Sequence, residues 1–120
     1  MPWGQDSVWQ AVIEVINTGD VVALDPLYAH VRGIRKAVSG ETKIIGISQI
    51  SIATGTVGQI RLFGEGIVNV GSNIVSAGDL LMPSTTPGIA ITATEAKVGQ
   101  VCGMALEGGT GIIKCLVFHL

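Results

Sequence analysis

Few side chains in this 120-residue chain can do chemistry: two cysteines, two histidines, seven Lys or Arg and nine Asp or Glu. Nucleophilic catalysis needs a nucleophile, a base and an orienting acid held together. His30 lies beside a basic stretch and reads as a surface residue, and His119 closes the last apolar segment, so neither stands in a nucleophile context. There is no Gly-x-Ser-x-Gly. Structural zinc takes four ligands, and neither Cys102 nor Cys115 has a Cys or His at ligand spacing, His119 standing alone near Cys115. Asp6, Asp20, Asp25 and Asp79 lack the repeated oxygen spacing of a calcium loop, and Glu14, Glu65 and Glu107 form no evident acid–base pair. The residues therefore lead us to expect no enzyme, no cofactor and no metal.

Three further patterns are weak. Ser39 with Lys43 has the residue types of a Ser-Lys peptidase dyad but not the surrounding motif. Gly108-Gly109-Thr110-Gly111 lacks the lysine and following helix of a phosphate-binding loop, and reads as a hairpin turn. Lys97, in Glu95-Ala96-Lys97-Val98, is the nearest analogue of the modified lysine in biotin or lipoate carrier domains, which also have two-repeat β architecture; Ala96 replaces their Met or Asp. A carrier domain, a hydrolase-like β domain and a non-viral self-assembling protein stay open as alternatives at this level.

The charge balance bears on partners. A formal net charge of -2 and only five aromatic residues argue against nucleic acid, which is bound through excess cations and stacking platforms. The most basic spot, Arg32, Arg35 and Lys36, is expected in a surface loop. No apolar run approaches the roughly 18 residues of a membrane span. Met1 to Gln10 lacks a basic region followed by an apolar run, so no secretory leader is expected.

These residues must be positioned by strands. The chain is 48% hydrophobic and 13% charged, enough to bury one core, and Val, Ile and Thr make up 38 residues in short runs between glycines and polar turns. The expectation is an all-β fold, a small β-barrel or β-sandwich built from two similar half-units. Candidate strands are Gln10 to Ile16, Val21 to Leu24, Lys43 to Ile52, Gln59 to Phe63, Gly66 to Val70, Leu80 to Met82, Ile89 to Thr94, Val98 to Leu106 and Ile112 to His119. Val8 to Ile16 has a helical alternative, but its β-branched residues favour strand. Asp25-Pro26 can cap a short helical turn, yet the glycines that follow leave the segment as loop. Gly64-Glu65-Gly66 and Gly71-Ser72-Asn73 read as turns, and Pro83 to Gly88 as an exposed hairpin loop. In the terminal hairpin, pairing Leu106 with Ile112 puts Cys102 opposite Leu116 and Cys115 opposite Gly103. The two cysteines then alternate faces and read as small apolar thiols.

An internal repeat is the most informative feature. Gly19-Asp20-Val21-Val22, Ile44 to Ser48 and Gln59 to Phe63 recur in order as Gly78-Asp79-Leu80-Leu81, Val101 to Ala105 and Ile113 to Val117. The offset is 59 residues at the Gly-Asp pairs and 57 at the central glycines. Gly-Asp suits a tight turn whose carboxylate takes turn amides, and the central Gly a close backbone approach. Two such units pairing about a pseudo-two-fold axis into one barrel is the expected assembly. Residues 1–18 are expected to form an N-terminal arm and first strand, and residues 19–120 the two-repeat β domain.

The pattern Gly-Asp-apolar, an apolar-Gly-apolar strand, Ala77-Gly78-Asp79-Leu80-Leu81, a Pro/Gly loop, and Val98-Gly99-Gln100-Val101-Cys102-Gly103-Met104-Ala105-Leu106-Glu107 resembles the capsid decoration (cement) proteins of tailed bacteriophages over about Asp20 to Leu120. The Tyr28 to Gly40 loop and the Met1 to Val8 segment depart from that pattern. The resemblance implies a virion protein made in the host cytoplasm that sits on the outer capsid surface. It further implies the major capsid protein as partner, a homo-oligomer with a trimer favoured, and neither nucleic acid nor membrane as partner. Candidate capsid or subunit contacts are Trp3, Trp9, Arg32, Arg35 and Lys36, the tryptophans because large aromatics anchor interfaces; the alternative for Trp9 is that it caps the barrel.

Overall fold

The computed structural model describes residues 4–94 and 100–118. Trp3, Lys97, His119 and the Val98-Gly99 pair lie outside the described residues. The strands are β1 (Gly4–Ala11), β2 (Val21–Leu24), β3 (Gly33–Lys36), β4 (Ile44–Ser48), β5 (Val57–Asn69), β6 (Leu80–Pro83), β7 (Ala90–Thr92), β8 (Gly103–Ala105) and β9 (Ile112–Val117), with a 3-10 helix at Pro26–Val31. They bond in the order β1-β3-β2-β4-β5-β9-β8-β6-β7, and a further β1–β5 pairing closes the first five into a barrel. The fold is all-β, as its composition implies.

Two cores result. Ala11, Ile16, Val22, Ile34, Ile52 and Ile60 fill the barrel, with Trp9 and Ile45 packed against them. Val21, Ala23 and Ile47 point the other way and meet Leu81, Ala90, Cys102, Ala105, Ile113, Cys115 and Val117. Strands β2 and β4 are thus buried on both faces, which is why Val21-Val22-Ala23 and Ile44-Ile45-Gly46-Ile47 read as continuous apolar runs rather than as an alternation. Ile60 and Val68, eight residues apart on β5, belong to different cores. Pairing Asp6 with Arg61 but Gln5 with Phe63 leaves Leu62 without a β1 partner, and this extra residue exchanges the two faces of the strand.

The repeat is real and is drawn in hydrogen bonds. Val22 pairs with Gly46 and Leu81 with Gly103. Asp20 Oδ2 accepts from the Asn17 amide at 2.8 Å, and Asp79 Oδ2 from the Ser76 amide at 2.9 Å. The Gly19 amide donates to Ser48 and the Gly78 amide to Ala105. A Cβ on Gly46 would lie 2.1 Å from the Arg61 carbonyl oxygen, and one on Gly103 2.5 Å from that of Leu116. Arg61 therefore matches Leu116, one residue away from the alignment that sequence suggests for the last element.

The halves do not jointly enclose one barrel. Unit 1 closes its own core with β1 and β3. Unit 2 lays its equivalent face, Leu81 and Cys115, on the outer side of unit 1.

Several boundaries move for identifiable reasons. The first strand is Gly4–Ala11, not Gln10 to Ile16, because β5 begins at Val57 and offers no partner past Gln10; Ile16 returns only as a bridge to Ile52. Residues 4–8 are therefore barrel wall. The Tyr28 to Gly40 loop contains β3, and Asp25 does cap a helical turn, its Oδ1 accepting from the Leu27 amide at 3.1 Å. Gly64-Glu65-Gly66 is not a turn: Gln49 bonds both the amide and the carbonyl of Ile67, and Gly66 makes room for that side chain. The strand beginning at Lys43 stops at Ser48, whose hydroxyl donates to the Ile50 carbonyl and bends the chain. The expected Ile89 to Thr94 shortens to β7, and in the described part of the expected Val98 to Leu106, residues 100–106, the strand is β8. Ser84, in the expected exposed hairpin loop, is buried. In the terminal hairpin Ala105 pairs with Cys115 and Gly103 with Val117, two residues from the expected register. Gly109 is drawn off to pair with Val75, and the Glu107 carboxylate accepts from the Lys114 amide, so the loop is wider than a minimal turn.

The two central glycines give a direct test. Gly46→Ala, with backbone in its way, is expected to cost about 3 kcal/mol or more and Gly103→Ala about 1–3 kcal/mol, read from urea unfolding midpoints. Gly66→Ala, which meets only the end of the Gln49 side chain, should cost less than either.

Candidate functional site

The three basic residues adjacent in sequence are separated by the fold. Arg32 follows the 3-10 helix in the left-handed conformation, φ 58°, the only described non-glycine residue with positive φ, and its amide closes the turn on Ala29. Its guanidinium lies 4.2 Å from the centroid of the Trp9 ring, donates from Nε to the Val8 carbonyl at 2.7 Å and from Nη2 to the Ser7 hydroxyl. Trp9 is half-buried on the barrel core, and its indole N–H is buried without a partner among the described residues. This is the barrel-capping arrangement, with a cation over the exposed ring face.

Arg35 and Lys36, consecutive on β3, project to opposite faces. Arg35 donates to Glu41 at 2.7 Å and to the Leu24 carbonyl at 3.0 Å. Lys36 Nζ stands 3.8 Å from Asp20 Oδ2, and its amide donates to Glu14 at 3.0 Å. No shared basic patch results, and the expected surface loop is instead a helix cap and a strand. Arg61 likewise pairs with Asp6 and donates to the Glu65 carbonyl.

Asp20 is almost fully buried, and removal from water raises its carboxyl above the ordinary value of 3.8, against the opposing pull of the Asn17 amide and Lys36. The thiols of Cys102 and Cys115 are free and buried in the same core. Desolvation raises both, Cys115 to about 12 and Cys102 further still. They are the buried apolar thiols that the sequence suggests, but they share one core rather than alternating faces. His30 is exposed at the end of the 3-10 helix. Among the described residues no three His, Cys, Asp or Glu side chains gather as a metal site.

Depressions lie on the surface of the described residues. One of about 210 Å³ lies between Ser39, Asn73, Met82 and Ser84–Thr86. A second, about 420 Å³, is lined by Glu65, Gly66, Ile67, Leu106, Lys114 and Cys115. The second brings Glu65 and Cys115 to one lining, where burial holds the Cys115 thiol protonated.

The broad surface feature lies on unit 2. Leu80 pairs with Met104, Met104 with Leu116, and Leu116 with Glu65, so these side chains form one row. Met82 pairs with Ile91 beside it, and Lys114 pairs with Ile67 on the far side. Leu80, Leu106, Ile112, Glu65 and Lys114 are exposed, and Met82, Ile91, Met104, Leu116 and Ile67 half-buried. The β1–β5 face differs: its exposed Val8, Val57 and Phe63 each pair with a glutamine. The unit 2 row was not among the sequence-derived candidates, although the repeat offers a signal, because Val21 and Ile47 become Leu80 and Met104 in the second copy.

The sequence matches no protein-family model and none of the curated proteins. Among solved structures, the fold is similar to the crystal structure of the head fiber gp8.5 N base in bacteriophage phi29, with a TM-score of 0.69, 15% identity, and coverage of 94% of this chain and 92% of that one.

The buried groups yield two tests. An ordinary thiol is about half ionised at pH 8.5, whereas a value near 12 leaves roughly one thiolate in 3,000 for Cys115. Native protein is therefore expected to resist a thiol reagent at that pH and to titrate two thiols once unfolded. For Asp20, a folded value above the unfolded one means its stabilising contribution is complete below the unfolded pKa and declines as pH rises through the folded pKa. Asp20→Asn should thus gain stability relative to wild type between pH 3 and 7, measured by paired urea melts.

Proposed function

We propose that this chain is a structural protein of a phage head, a cement that binds the outer capsid surface and holds neighbouring major capsid subunits together. The observation that carries the reading is the likeness, across nearly the whole of both chains, to the base of a phage head fiber. It is joined by the resemblance of Gly78-Asp79-Leu80-Leu81 and the Gly103-Met104-Ala105-Leu106-Glu107 strand end to decoration proteins. The two rest on different information, backbone shape and local sequence, and both lead to the head surface.

In this reading the chain is no enzyme and takes no cofactor; its work is adhesion, and its partner is the major capsid protein. It acts as a homo-oligomer, a trimer by the decoration-protein pattern, on the virion exterior after synthesis in the host cytoplasm. Two cores sharing the β2–β4 wall give a stiff body, which suits a clasp that resists outward pressure. Trp9 and Arg32 support the contact surface as a rigid pair rather than as a free arm.

A second reading, the base of a head fibre, is favoured by the same structural likeness. It differs in what binding does to the head, because a cement must hold neighbouring subunits together and a fibre base need only stay attached.

Co-sedimentation with expanded, undecorated heads tests both. Saturable binding at a fixed ratio comparable to the number of capsid subunits is expected, together with a higher temperature for head disruption. Saturable binding with no rise in that temperature supports the fibre base instead, and no binding overturns the head-surface reading.

A further inference from the structure

We infer that the apolar row Leu80–Met104–Leu116 of unit 2, with Met82, Ile91 and Leu106 around it, is the surface through which this chain associates with a second copy of itself. The inference is a pairwise, two-fold contact between copies, distinct from the trimer of the decoration-protein pattern, and it rests on the head-surface reading only for context, since its evidence is internal to the chain.

The repeat makes the comparison possible. The offsets drawn by the hydrogen bonds carry Val21 to Leu80, Ala23 to Met82, Ile47 to Met104 and Arg61 to Leu116. In unit 1 the first three are fully buried, covered by the sheet of unit 2. In unit 2 the matching side chains are open to solvent or half-covered, and each is as large as or larger than its buried counterpart. An antiparallel sheet with one solvated face puts polar residues there. The β1–β5 pair does so, setting glutamines across from its exposed apolar residues, whereas on unit 2 Leu80, Met104 and Leu116 adjoin one another and Met82 adjoins Ile91. A contiguous apolar face of this kind marks an interaction surface.

The charges identify the occupant as a second copy: Glu65 and Lys114 are exposed and sit diagonally at the edge of the row, next to Leu116 and Ile67. A copy turned about a two-fold axis against this face can set each against its opposite. A partner of strong single-sign charge would find no counterpart there.

The test is molar mass in solution by light scattering or sedimentation across a concentration series, using the full chain. The wild type is expected at twice 12.4 kDa. Leu116→Glu and Leu80→Lys each place a charge in the row and should weaken association by more than about tenfold. Val57→Glu, on the β1–β5 face, should leave the mass unchanged. Circular dichroism and a cooperative melt are read alongside, and Leu80→Lys, at a site already exposed, serves if Leu116→Glu does not fold. A wild type that stays at single-chain mass at every concentration overturns the inference, as does a folded Leu80→Lys variant that remains fully associated. If the wild type stays single and Leu80→Lys abolishes head binding, the face belongs to the capsid and the self-association inference fails while the head-surface reading stands. If variants become single but heads still bind them, self-association holds independently of that reading.

Discussion

Strands β2 and β4 have no solvent side, and the rest of the molecule follows from that. Val22 and Val21 are neighbours in sequence, yet one fills the barrel and the other the second core. The wall between the cores is a single sheet, thinned at Gly46 so that β4 can press against the β5 backbone. A residue with a side chain there would push apart the strands that both cores share. Opening either core exposes part of the other, which ties the two units into one cooperative body although each has its own hydrophobic centre.

This shared wall also explains what could be read from the sequence. The repeat was legible because its landmarks are backbone requirements: a carboxylate three residues from the amide it caps, and a glycine where a Cβ would strike a carbonyl. Such constraints recur at the same place in each copy and leave a trace that needs no knowledge of distant partners. The continuity of β5 through Gly64 to Gly66 was not legible, because it depends on Gln49, a side chain fifteen residues away that bonds Ile67 twice. The terminal register escaped for a similar reason, since Gly109 answers to Val75 rather than to its own hairpin. Strand β3 was hidden by its flanks, a capped 3-10 helix before it and a polar turn after it.

The surface was less legible than the core. Arg32, Arg35 and Lys36 look like a patch only while the chain is a line. A left-handed cap sends the first onto Trp9, and strand alternation sends the other two to opposite faces. The apolar row on unit 2 was hidden in the opposite way. Its residues resemble those of a doubly buried strand, and β2 and β4 are such strands, so pattern alone assigns the row to an interior. Only the pairing shows that the second copy of the wall has one side uncovered.

Charge placement limits the ways in which such a surface can adhere. Arg35, Lys36 and Arg61 already have carboxylate partners within the chain, and Arg32 lies against an aromatic ring. With a formal net charge of only -2, little field is left to steer a partner from a distance, so association rates should be those of neutral surfaces, about 10⁵–10⁶ M⁻¹s⁻¹. Affinity must then reside in slow release, through close packing of apolar side chains on a face that does not deform. A protein that joins a persistent assembly needs retention more than speed. The rigid double core and the uncharged row serve the same end: the core keeps the row flat and in register, and the row holds a second copy by contact area, which salt screens far less than it screens ion pairs.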